Sequence, residues 1–115
     1  MTTITNEFLN ILSKDLDNIN SKNDYGFNAL ICAAVKGHLE VVKFLVENGI
    51  YINSCNKFGE TSLIMAASYG HLEIVKFLVE SGANIKNKTN NGTNALMFAS
   101  NNGHLDIVKF LVEKM

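Results

Sequence analysis

The 115-residue chain contains no proline, only two cysteines and no long apolar run. Without proline, the residue that most often rigidifies the first turn of a helix is missing, so any helix start here is set by other means. Cys32 and Cys55 do not have the spacing of a metal or redox motif, and Cys32, inside an apolar run, reads as a small core residue. A bilayer span needs roughly 18 consecutive apolar residues, and none occurs. The opening residues MTTITNE lack the basic and apolar regions of a secretory signal. Charge is nearly balanced, with ten basic against eleven acidic residues and a net charge of -1, so no field attracts nucleic acid or an anionic membrane. Phosphate-cradling glycine motifs are also absent. The expected setting is cytoplasmic or nuclear.

What the chain has is an internal period. An apolar fraction of 47% is that of a folded protein, and the length suffices for one domain with a continuous core. The segment GHLEVVKFLVE at 37–47 returns as GHLEIVKFLVE at 70–80 and as GHLDIVKFLVE at 103–113, a step of 33 residues. Gly26, Gly59 and Gly92 keep the same step. A unit this short cannot bury its own apolar face, so the units must stack side by side into a solenoid.

The middle unit shows the expected local structure. Residues 56–60 read as a turn around Gly59. Thr61 then caps a short helix over 62–68, with Leu63, Met65, Ala66 and Ala67 apolar, and Gly70 ends it. The alanine pair lets two helices approach closely. His71 opens a second helix to about Glu80, with Leu72, Val75, Leu78 and Val79 as its stripe and Ile74 and Phe77 widening it. Gly82 stops that helix, and 83–87 reads as an exit strand. Glu73, Lys76 and their counterparts in the other units read as a solvated outer face. Truncating Leu72 or Leu78 to alanine is expected to cost about 2–5 kcal/mol, with a smaller loss at Leu111 near the end.

This order and period resemble the ankyrin repeat over nearly the whole chain. The resemblance rests on Gly26, Leu30, Ala33-Ala34 and 37–43 in the first unit. It continues with Thr61, Leu63, Ala66-Ala67, 70–73 and Gly82-Ala83-Asn84 in the second, then Gly92, Leu96, Ala99 and 103–106 in the third. It implies an all-α solenoid in a single domain: a half-repeat cap at 5–22, then units at 23–55, 56–88 and 89–115, the last ending after its second helix. One departure stands out. The family's Thr-Pro-Leu-His motif is replaced by NALI at 28–31, TSLI at 61–64 and NALM at 94–97. The motif histidine, which the resemblance implies ties neighbouring loops together, becomes Ile31, Ile64 and Met97. A more apolar seam and a weaker polar loop network are therefore expected.

His38, His71 and His104 recur one unit apart. Packed helices lie about 8–10 Å apart, so these rings are too distant to share a metal ion, and each reads as a helix-start residue bonded to nearby backbone. No nucleophile has a base beside it in sequence, so neither catalysis nor a cofactor or metal is expected. The resemblance implies instead a protein-binding surface on the turn tips and the exposed side of the first helices. Carried over by position, it comprises Asp24, Tyr25, Phe27, Val35 and Lys36; Cys55, Lys57, Phe58, Glu60, Ser68 and Tyr69; and Lys88, Asn90, Asn91, Thr93, Asn101 and Asn102. Tyr25, Phe27, Phe58 and Tyr69 are the candidate anchors, because a turn tip needs no aromatic ring for its own geometry. Phe27 and Phe58 have a second reading, folding down against a neighbouring turn. The expected function is recognition of another protein by a monomer; the alternative is a structural spacer, or part of a larger repeat protein, with no binding role of its own. Resemblance also implies asparagine hydroxylation at Asn53, which has Leu45 eight residues before it, whereas the second unit carries Lys86 at that place.

Overall fold

The computed structural model describes residues 18–115. The expected half-repeat at 5–22 therefore lies, apart from its end, outside the described residues. Six helices follow in pairs: α1 (Ala29–Lys36), α2 (Leu39–Glu47), α3 (Ser62–Tyr69), α4 (Leu72–Glu80), α5 (Ala95–Asn101) and α6 (Leu105–Lys114). The short helices α1, α3 and α5 pack side by side in one layer, and α2, α4 and α6 form a second layer behind them.

Hydrogen-bonded caps take the place of proline at the short-helix starts. Thr61 is extended and its Oγ1 accepts the amide of Ile64 at 3.2 Å. Asn28 and Asn94 do the same through Oδ1, each at 2.9 Å, for Ile31 and Met97. A cap of this kind stabilises a helix by about 1 kcal/mol. Only Asn28 leaves a polar atom stranded, since its buried Nδ2 has no partner. Gly70 ends α3 in the left-handed conformation at φ 82°, its amide on Ala66 O. In unit 3 the helix ends one position sooner, at Asn102.

The core runs along the seam between the layers. Ser62 to Ala67 are all buried in α3, so that helix is closed on both flanks. Ala33-Ala34, Ala66-Ala67 and Ala99 are buried, the small side chains expected where helices approach closely. On α4 the buried stripe is Ile74, Val75 and Leu78, while Leu72 and Val79 are half-buried at its edges. The stripe is thus rotated from the one expected, because α4 presses on both α2 and α6 as well as on α3. Leu111 is as fully buried as Leu78, so a smaller loss at that position does not follow.

Two expectations are corrected. No exit strand forms among the described residues: pairing is limited to the isolated bridges Cys55–Thr61 and Lys88–Asn94 that flank the turn tips. Residues 84–87 are held instead by turn bonds, Lys86 N to Asn84 Oδ1 at 2.9 Å and Asn87 N to Asn84 O at 3.3 Å. Cys32 is exposed rather than in the core. It shares a register with Met65, which is buried.

Candidate functional site

Each turn tip is built on one side chain. Asn56 Oδ1 accepts the amides of Phe58 (2.9 Å) and Glu60 (3.0 Å), and its Nδ2 donates to Glu60 Oε1 at 2.8 Å. Asn23 holds Tyr25 and Phe27 through the same two amide bonds, and Thr89 Oγ1 accepts from Thr93. The tips are then joined edge to edge, Lys57 N donating to Tyr25 O and Asn90 N to Phe58 O, both at 3.0 Å. Gly59 is required at this junction: a Cβ there would lie 2.8 Å from the Asn90 backbone nitrogen, at a φ of 79° that L side chains rarely adopt.

The seam is more polar than the loss of the motif histidine suggested. His71 Nε2 lies 3.1 Å from Val35 O, and His104 Nε2 lies 3.0 Å from Ser68 O, each bond crossing to the preceding unit. Both rings sit against the helix-ending glycines, where a Cβ on Gly37 or Gly70 would come within 2.6 or 2.7 Å. Asn102 Nδ2 donates to Ser68 O at 2.8 Å, and Asn90 Nδ2 to Lys57 O at 2.8 Å. Asn53 Oδ1 accepts the Asn84 amide at 2.8 Å. Histidine and asparagine therefore supply the inter-unit ties by another route. These bonds join residues 31 to 36 apart, so each ties one unit to the unit beside it.

The four aromatic candidates separate on this frame. Tyr25 is 63% and Phe58 54% exposed, and they occupy the same position on adjacent, hydrogen-bonded tips. Phe27 is half-buried and packs against the core, in a register shared with Glu60 and Thr93. Tyr69 is exposed at the C-terminal end of α3, about 12 Å along that helix from the tip. Lys36 and Asn102 share its register and are exposed as well. Asp24, Lys57, Asn91 and Asn101 are exposed, while Glu60 and Ser68 are half-buried. Tyr51, 68% exposed after α2, was not singled out in the sequence, and its lack of an aromatic counterpart in the next unit is the feature that marks it.

The opposite layer carries a charged surface. A shallow cleft between α2 and α4 is lined by Lys43, Glu73, Lys76 and Glu80, and the one ion pair among the described residues, Lys43 to Glu40 at 3.9 Å, is exposed. Among the described residues no cluster of three His, Cys, Asp or Glu side chains could hold a metal ion, and no helix is long and apolar enough to cross a membrane.

Paired helices stacked at a constant step, with bonded turn tips projecting from one layer, define a helical repeat solenoid. A family model for ankyrin repeats matches the chain in three copies, over residues 1–56 and 48–115, and the chain belongs to that family. Ankyrin repeats are generally protein–protein interaction modules, and the family is typically non-enzymatic. No curated protein matches this chain.

Proposed function

We propose that the chain binds another protein through its turn tips and the exposed side of α1, α3 and α5, with Tyr25 and Phe58 as paired anchors and Tyr69 as a third contact. The observation that carries this reading is the exposure of two large rings on tips whose backbones are already bonded to one another. Such rings lose little side-chain entropy on binding, and a rigid frame leaves little more to order. Asp24, Lys36, Lys57, Asn91 and Asn101 would form the polar surround. Asn90 and Asn102 would act mainly by holding neighbouring units in register, since their amides are committed there. The setting proposed is cytoplasmic or nuclear.

The test is affinity capture from a lysate of the source cell, comparing wild type with a Tyr25→Ala, Phe58→Ala, Tyr69→Ala variant that retains its circular dichroism. Loss of a captured protein with the variant is the expected result. For an isolated partner, each anchor removed should weaken binding by about 2 kcal/mol, roughly 30-fold. Equal capture by both proteins would move recognition off this surface, and capture of nothing would favour a spacer. Hydroxylation at Asn53 is a separate proposal, supported by its exposed side chain. Mass spectrometry after treatment with an asparaginyl hydroxylase tests it, and an unmodified Asn53 peptide rejects it.

A further inference from the structure

The two layers of the molecule differ in charge. Lys22, Lys36, Lys57 and Lys88 are exposed on the tips and at the C-terminal end of α1, and no ion pair among the described residues involves them. Two acidic residues share that side. Asp24 is exposed, and Glu60 is drawn back into its own turn by the amide of Asn56. The second layer has a different balance. There α2 and α4 each carry two glutamates and one lysine, and α6 carries as many acidic residues as lysines. A net charge near zero thus conceals a basic surface around the exposed rings of Tyr25 and Phe58.

Between the tips of units 2 and 3 lies a shallow recess of about 240 Å³, with no Asp or Glu among the residues that line it. Asn53, Asn87 and Lys88 stand on its wall, with Cys55 and Asn90. The Asn90 amide is committed to Lys57 O, and Asn53 Oδ1 to the Asn84 amide. That leaves three donors, Asn53 Nδ2, Asn87 Nδ2 and Lys88 Nζ, and no hydrogen bond among the described residues uses them. One ammonium flanked by two amides suits a single carboxylate, whereas a phosphate would call for more positive charge.

We infer that the segment recognised at the tips is acidic: an extended peptide that sets an apolar side chain against Tyr25 and Phe58 and a carboxylate in the recess beside Lys88. This rests on the reading of the tips as the binding surface. Neighbouring units lie about 8–10 Å apart and an extended chain rises about 3.3 Å per residue, so about five residues reach from Tyr25 to the recess. Lys57 stands on the intervening tip. The rings supply most of the affinity, and the lysines speed encounter and turn away basic segments.

Three labelled octapeptides test this with the full chain: EELEELEE, its glutamine form QQLQQLQQ and its lysine form KKLKKLKK. EELEELEE should bind, QQLQQLQQ should bind at least about tenfold more weakly, and KKLKKLKK should not bind. Lys88→Ala and Phe58→Ala should each weaken EELEELEE at least about tenfold, while Lys109→Ala, on the second layer, leaves it unchanged. All three sites are exposed, and each variant must keep the circular dichroism of the wild type. Equal binding of EELEELEE and QQLQQLQQ, lost for both with Phe58→Ala, would overturn the acidic preference and leave the tips as the binding surface. Binding of EELEELEE that neither Lys88→Ala nor Phe58→Ala weakens would overturn both readings, because the peptide would then sit elsewhere. No binding of any octapeptide would overturn the inference and leave the tips to the capture experiment. Octauridylate bound in their place, and released by Phe58→Ala, would overturn it in favour of a single-stranded nucleic acid.

Discussion

Units 2 and 3 carry similar residues at the same spacing, yet they bury them differently. In α3 every residue from Ser62 to Ala67 is buried, whereas α5 buries only Ala95 and Ala99. Ile64 is 1% exposed and Met97, one step later in the same register, is 49% exposed. Nothing in either helix alone accounts for this. Unit 2 has a described neighbour on each side, and unit 3 has one. In a stack, a residue's contribution to stability is thus set by the unit beside it as much as by its own side chain.

The sharpest way to break that comparison is to truncate the two residues that share a register. Ile64→Ala should cost about 2–5 kcal/mol in urea unfolding, because it opens a cavity between units. Met97→Ala should cost less than about 1 kcal/mol, since its side chain is half in water. Equal losses would show that burial in the stack does not govern stability.

A finer comparison uses the histidine joints. His71→Ala leaves Val35 O without the ring that bonds it and should cost about 1–2 kcal/mol. His104→Ala should cost less than His71→Ala, because Asn102 Nδ2 also reaches Ser68 O. The order of the two losses, read by thermal or urea unfolding, is the check, and the reverse order would remove Asn102 from its assigned role.

The smallest effect concerns unit 1 against unit 2. Asn28 and Thr61 cap equivalent helices, but only Asn28 buries an amide nitrogen with no partner. Asn28→Thr should keep the cap, remove the stranded donor and stabilise the protein by about 1 kcal/mol. A loss of stability would mean that the Asn28 amide is satisfied in solution.

Much of this was legible in the sequence because the period exposes it. Gly70 as a helix stop, Thr61 as a cap and the buried alanines each follow from one unit read closely. Phe27 and Phe58 show where the reading fell short. They look alike within their own turns, but they are 31 residues apart, not 33. Aligning the units pairs Phe58 with Tyr25 at the outer tip and Phe27 with Glu60 near the core. The polar seam was legible only in part. The histidines read as bonded to nearby backbone, but the acceptors, Val35 O and Ser68 O, belong to the preceding unit, and a carbonyl acceptor leaves no mark of its own in the sequence. Cys32 looked like core because its neighbours in sequence are apolar, yet it is exposed, whereas Met65, one step later in the same register, is buried.

Among the described residues the inter-unit bonds span 36 residues at most. Folding therefore never has to wait for distant parts of the polypeptide to meet. Chains rich in such near-neighbour contacts cross their barriers quickly. They also suit assembly during synthesis, in which the N-terminal part is finished first. While this protein is being made, each helix pair needs only the next pair to leave the ribosome before its seam can close, so apolar surface waits for a partner for the time taken to translate about one unit.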